Sequence, residues 1–127
     1  MRRPAALLAS SAVLAATAVG AAPAHAARSA CAPETGDWCT SVAAKKGRRY
    51  LELSTFSFRG TVEICVAGPK RRTCRSTPLR RQAHDVYRAR LRWSTAFPDQ
   101  GRGRYRVTFA PSVTGKQLGP TLSFRVR

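Results

Sequence analysis

The C-terminal third of the chain shows a strict alternation of apolar and polar residues, many of the polar ones arginine. Three segments carry it: residues 86–93, 104–110 and 121–127. A period of two sends successive side chains to opposite faces of a β-strand. We therefore predict three strands, each with one face on a core and the other in water.

Less regular alternation predicts four more strands, over residues 40–44, 49–58, 61–66 and 72–76. Within residues 49–58 the leucines and the phenylalanines fall on opposite faces, which predicts a bulge or bend near Ser54 and Thr55. The polar stretch Thr77–Asp85 predicts a loop or a single helical turn.

Turn signals separate these strands, chiefly Lys46-Gly47 and the four-residue loop Gly68–Arg71. The loop would place Cys65 opposite Cys74 on a hairpin. About seven short strands without a convincing helix predict an all-β fold, an antiparallel immunoglobulin-like β-sandwich.

The four cysteines are an even set in a small chain, which indicates two disulfides. Three pairings are possible, and the sequence does not choose among them. The pairs closest in the chain, Cys31–Cys39 and Cys65–Cys74, are favoured. A zinc site built from all four cysteines would need tighter spacing than this.

The segment 99–105 contains a loop, a glycine and then Tyr105 at the start of the penultimate predicted strand. It resembles the tyrosine corner of immunoglobulin-like domains. Together with the ending, Gly115–Pro120 followed by the alternating residues 121–127, it gives the chain a resemblance to small exported immunoglobulin-like proteins of high-GC Gram-positive bacteria. The resemblance covers residues 86–127 best. It implies a fold and carries no activity with it.

The N-terminus has the order of a secretory signal peptide. Two arginines precede a small, apolar run over residues 5–22, and Ala24-His25-Ala26 supplies the small-x-small cleavage pattern. A transmembrane anchor is the rival interpretation, but Gly20 and Pro23 interrupt the run.

We therefore expect a signal peptide over residues 1–26, cleaved after Ala26, and a secreted product without a transmembrane segment. The product would comprise an N-terminal segment, residues 27–38, and a β-sandwich domain, residues 39–127.

The large positive net charge is a second feature of the sequence that bears on function. Beyond residue 26 the chain has 21 basic and six acidic residues, a formal net charge of +15. High-GC codon usage explains arginine in place of lysine but not the scarcity of acids. Such a charge predicts affinity for polyanions and association that weakens with salt.

The alternating strands send seven arginines to the solvent side, and these are the candidate anion-binding residues. In a shared sheet they would form a grid, spaced about 6.6 Å along a strand and about 4.8 Å between strands. Like charges placed directly across strands are destabilising, whereas guanidinium groups match phosphate, sulfate or carboxylate. The competing interpretation is a surface that only keeps the protein in solution. The seven are Arg88, Arg90, Arg92, Arg104, Arg106, Arg125 and Arg127.

Two further basic clusters, residues 45–49 and 70–72, fall at predicted turns and are expected to be solvated.

Enzyme chemistry has little support in this sequence. His84 is the one histidine beyond residue 26, and the six carboxylates are scattered. We predict no catalytic, metal or cofactor site.

The expected partner is an extracellular polyanion: a wall phosphate polymer, an acidic polysaccharide, or DNA bound without sequence specificity. One alternative is a small-ligand carrier, since the predicted architecture is similar to that of the neocarzinostatin family. Another is a protease inhibitor that presents the Cys65–Cys74 loop as a basic bait. A membrane-active toxin is the third, although such agents typically use a cationic helix.

Overall fold

The alternating segments form strands in two antiparallel sheets that pack face to face in a computed structural model. The structure describes residues 28–127, so the predicted signal peptide lies outside the described residues. Within residues 28–127, no helix has the length and apolar character needed to cross a membrane.

The first sheet has five strands in the order β1-β2-β3-β7-β6. Its members are β1 (Ser29–Cys31), β2 (Trp38–Lys45), β3 (Arg48–Thr55), β6 (Arg80–Ala83) and β7 (Val86–Arg92).

The second sheet has four strands in the order β5-β4-β8-β9. Its members are β4 (Thr61–Ala67), β5 (Arg72–Pro78), β8 (Gly103–Pro111) and β9 (Leu122–Val126). A single helical turn, α1 (Trp93–Ala96), follows β7.

The core lies between the sheets and is built from the apolar members of the alternating segments. Fully buried positions include Leu51, Leu53, Ile64, Tyr105 and Phe109. The all-β sandwich is confirmed, and each of the seven predicted strands corresponds to an observed one. Short edge strands β1 and β6 are additional.

Of the predicted bulge or bend near Ser54 and Thr55, the structure has the bend: β3 pairs with β2 without a break in register, and the chain bends at Phe56 and Ser57, directly after β3 ends at Thr55. The Thr55 hydroxyl accepts hydrogen bonds from the amides of Ser57 (3.0 Å) and Phe58 (3.3 Å), which turns the chain out of the strand. Phe56 is left exposed, while Phe58 packs against the core.

The prediction of a loop or helical turn over Thr77–Asp85 is also wrong. The chain crosses from one sheet to the other at buried Leu79, whose amide donates to the Gly60 carbonyl (2.7 Å), and then forms β6. All four β6 residues are exposed. A strand at a sheet edge with no buried residue shows no alternation of apolar and polar residues, so the pattern of the sequence does not predict it.

Two-residue turns close two of the three hairpins of the five-stranded sheet, β2–β3 and β6–β7. The predicted Lys46-Gly47 turn is confirmed, with φ angles of 50° and 72°. His84 and Asp85, at 48° and 64°, form the second. Positive φ at both central residues suits the twist of a two-residue hairpin.

Both favoured disulfides are confirmed, Cys31–Cys39 and Cys65–Cys74. Each joins directly opposed residues on neighbouring strands. Because β1 and β5 are edge strands, each disulfide ties an edge to its sheet.

Buried Tyr105 fixes the end of the sandwich where β8 begins. Its hydroxyl donates to the Gly101 carbonyl (2.7 Å) and accepts from the Gln100 amide (3.1 Å). Its ring stacks on Phe124 with centroids 5.1 Å apart, and Trp93 packs edge-on against both rings. The loop before β8 is thereby attached to the core.

Replacing this tyrosine, Tyr105→Phe, should lower the free energy of unfolding by about 1–3 kcal/mol, because two backbone groups lose their partner. Urea unfolding measures the change. Tyr87→Phe, at a half-buried position on β7, is the control. A loss at Tyr105 no larger than that of the control would contradict the role given to this hydroxyl.

Candidate functional site

The three arginine-bearing strands do not share a sheet, so the condition for a single grid of arginines is not met. Strand β7 lies in the five-stranded sheet, whereas β8 and β9 lie in the four-stranded sheet. Alternation specifies which side chains point outward, but not which sheet a strand joins. The predicted residues therefore divide between two outer faces. Arg88 and Arg90 lie on one, Arg92 of the same strand is half-buried, and Arg104, Arg106, Arg125 and Arg127 lie at the other.

Four exposed arginines form what we call the four-stranded basic face: Arg72, Arg104, Arg106 and Arg125. Arg104 lies directly opposite Arg125. Arg106 and Arg72 lie on either side of Ala67, in one row across three strands. Arg72 belongs to the basic turn cluster, residues 70–72, that the sequence predicts to be solvated, and only strand pairing places it across Ala67 from Arg106.

Small residues form the floor between these arginines. A cleft of about 210 Å³ is lined by Ala67, Gly68, Arg104 and Arg106. Its floor is low because neither Ala67 nor Gly68 has a long side chain. An anionic group entering there would meet guanidinium groups along its wall.

Acidic residues neutralise little of this face. Within residues 28–127 there are two ion pairs, Arg90–Glu52 and Arg81–Asp85, and neither lies on it. Glu63 shares the face but sits four residues along β4 from Ala67, roughly 13 Å away. The opposed pair Arg104 and Arg125 therefore carries a like-charge cost, of about several tenths of a kcal/mol.

The loop beside this face is held by a buried glutamine. Gln100 Oε1 accepts hydrogen bonds from the amides of Lys70 (2.9 Å) and Arg71 (2.8 Å), and its Nε2 donates to the Arg71 carbonyl (2.9 Å). Gly68 leaves the space for Gln100, since a Cβ there would lie 2.6 Å from its side chain. The side chains of Lys70 and Arg71 remain exposed on a fixed backbone.

The outer side of the other sheet carries a second group, the five-stranded basic face. Arg80 lies directly opposite Arg88. Arg90 differs from them, because its Nε is 2.9 Å from Glu52 Oε1 and its guanidinium lies 3.8 Å from the centroid of the Tyr50 ring. The members of this face are Lys45, Lys46, Arg48, Arg80, Arg88 and Arg90.

The side chains of Arg92 and Arg49 are half-buried and do not extend into solvent like the other arginines of these strands. Arg92 is half-buried, and its buried Nε has no hydrogen-bond partner within the described residues. Arg49 lies 4.1 Å from the Phe124 ring centroid. Burial lowers the pKa of Arg49, and the charge of Arg28 lowers it further. Neither side chain is part of the two basic faces.

The groups that could carry other chemistry are few. His84 is exposed in the turn before β7, beside Asp85, whose carboxylate pairs with Arg81 at 3.7 Å. Glu63 lies close to the sulfurs of Cys65 and Cys74. Those sulfurs are bonded to each other, so they offer no thiolate to a metal ion.

In comparisons with known proteins, the chain has no significant match to a family model, a curated protein or a solved structure.

Removing the side chain that holds the basic loop, by Gln100→Ala, should free the loop backbone. Amide hydrogen exchange at Lys70 and Arg71 should accelerate by at least about tenfold, equivalent to about 1.4 kcal/mol, because both amides lose their acceptor. Gln82→Ala, on exposed β6, is the control. Unchanged exchange at both amides would show that Gln100 does not hold the loop.

Proposed function

We propose that this protein is a secreted, basic β-sandwich module that binds extracellular polyanions through its four-stranded basic face. The observation that carries the proposal is the directly opposed pair Arg104 and Arg125 on the same face as Arg106 and Arg72, which lie on either side of Ala67. All four are exposed, and among residues 28–127 none is in an ion pair.

Arg104 and Arg125 repel each other, and a polyanion bound between them would attract both guanidinium groups. Guanidinium forks bind phosphate, sulfate and carboxylate groups with two parallel hydrogen bonds. The loop that carries Lys70 and Arg71 is fixed by Gln100 and lies in the hairpin closed by the Cys65–Cys74 disulfide. Fixing a loop before binding reduces the entropy lost in the complex.

The spread of the charges favours a polymer over a single small ion. The basic residues occupy three strands and an adjoining loop, so several anionic groups would be needed to reach them. The ligand classes that fit are wall phosphate polymers, acidic polysaccharides and DNA. Contacts of this kind depend on the charged backbone of the polymer and not on its bases, so we expect no sequence-specific recognition of nucleic acid.

We also infer that the sandwich is immunoglobulin-like. The order β2-β3-β7-β6 corresponds to A-B-E-D of that fold, and β4-β8-β9 corresponds to C-F-G with β5 beside C. The Tyr105 hydroxyl bonded to the backbone four residues upstream supports the same assignment.

Secretion is part of the proposal and rests on the predicted signal peptide together with the two disulfides. Disulfides persist in oxidising compartments outside the cytosol.

The loop that carries Lys70 and Arg71 supports a protease inhibitor less well than it supports a polyanion-binding module. A protease that binds a loop in extended form pairs with its backbone amides. Here the amides of Lys70 and Arg71 already donate to Gln100. For a small-ligand carrier, the space between the sheets is filled by large side chains such as Tyr105, Phe109 and Phe124.

Removing three charges from the face, by Arg104→Gln, Arg106→Gln and Arg125→Gln together, should weaken binding to DNA, heparin or polyphosphate. For duplex DNA, the slope of log K against log salt should fall by about 2–3, because each lost phosphate contact releases roughly one fewer counterion. Fluorescence anisotropy at several salt concentrations measures both quantities.

The matched control is a triple variant with the same net charge, Arg59→Gln, Arg81→Gln and Lys116→Gln. These exposed residues lie in the β3–β4 loop, on β6 and in the β8–β9 loop, away from the four-stranded basic face. An equal effect of the two triple variants would indicate net charge alone, and an unchanged slope in the first would refute the proposed face.

A further inference from the structure

The five-stranded basic face is a second surface suited to anions. A cleft of about 200 Å³ lies beside Arg80, Arg88 and Arg90, and another of about 430 Å³ is lined by Lys45, Lys46, Arg48, Tyr50 and Arg90. Arg90 lines both clefts, so they adjoin. The basic surface therefore runs from edge strand β6 to the β2–β3 hairpin.

Arg90 is held in place at the centre of this surface. Its Nε pairs with Glu52, and the Tyr50 ring supports its guanidinium plane. Glu52 has 18% of its side chain exposed, and its carboxylate is occupied by Arg90. Glu52, the one acidic residue among these strands, therefore orients the Arg90 side chain. Arg80 and Arg88 lie opposite each other, and neither is in an ion pair within the described residues.

The two basic faces point in opposite directions, because each is the outer side of a sheet whose inner side forms the core. The sheets of a sandwich are about 10 Å apart, and the side chains on each face add to that separation. The Debye length at physiological ionic strength is about 8 Å. An anion on one face should therefore be largely screened from an anion on the other.

We propose that the protein bridges two polyanion chains, one bound on each face of the sandwich. This inference rests on the proposed function, and it adds a second site and a cross-linking role. A module that only coats a polymer needs one basic face. Two basic faces on opposite sides, screened from each other, instead allow one protein molecule to bind two polymer chains at once.

A long polymer wrapping around one molecule could also occupy both faces. Short chains exclude this, since a chain that fills one face cannot reach the other. The test therefore uses short polyphosphate attached to beads, the protein, and a second, fluorescent short polyphosphate added after washing. The wild-type protein is expected to bind the beads and to capture the fluorescent chain.

Each face is then removed separately. The first variant carries Arg104→Gln, Arg106→Gln and Arg125→Gln, and the second carries Arg48→Gln, Arg80→Gln and Arg88→Gln. Each should still bind the beads through its remaining face but lose at least about nine-tenths of the capture. Arg90 is left intact, because its removal would leave Glu52 without its partner.

The control again has the same net charge: Arg59→Gln, Arg81→Gln and Lys116→Gln. Its capture should match that of the wild type, since both faces remain. Loss of capture in this control would attribute bridging to net charge and overturn the inference. A repeat with short heparin chains distinguishes phosphate from sulfate as the preferred group.

The outcomes separate the two proposals. Bead binding without capture by the wild type would refute bridging and leave polyanion binding in place. Absence of bead binding at low salt, with either polymer, would refute both. Capture retained by both single-face variants would also refute the two-face arrangement. Circular dichroism of each variant checks that the sandwich is folded.

Discussion

Burial of one side of each sheet against the other is the constraint on which the molecule depends. Residues such as Leu51, Leu53, Val107 and Phe109 lose their contact with water only when the two sheets meet. Since side chains alternate along a strand, that burial sends every second residue to an outer side. In this chain many of those residues are arginine, so the same packing that forms the core creates two basic faces.

Tyr105 links the core to the four-stranded basic face. Its ring packs among the buried aromatic residues, its hydroxyl binds the backbone at Gly101 and Gln100, and the Gln100 side chain holds the loop that carries Lys70 and Arg71. Loop geometry is thus set by hydrogen bonds from the buried Gln100 side chain, which are partly shielded from water. The exposed side chains of Lys70 and Arg71 therefore extend from a backbone whose conformation is fixed.

The two basic faces balance repulsion differently. On the five-stranded side, Glu52 offsets one charge and fixes Arg90 over the Tyr50 ring. On the four-stranded side, Arg104 and Arg125 are opposed without such an acid. The cost of each opposed pair, up to about 1 kcal/mol, is small beside the burial of a single leucine side chain, about 1.5–3 kcal/mol. The fold tolerates the repulsion, which remains available to favour an anionic partner.

The sequence by itself determined the seven main strands, the inward and outward members of the alternating segments and the turn at Lys46-Gly47, because these depend on local periodicity and spacing. It favoured the observed disulfides by their closeness in the chain but left three pairings open, and the structure decided among them. It missed β6, which is exposed at an edge and buries nothing, and it left open whether a bulge or a bend interrupts residues 49–58, where the Thr55 hydroxyl accepts the hydrogen bonds of a bend. Only the tertiary structure decided which sheet each strand joins. That choice separated Arg88 from Arg104 and placed Arg72 and Arg106 on either side of Ala67, because strand pairing is set by contacts between residues far apart in the chain.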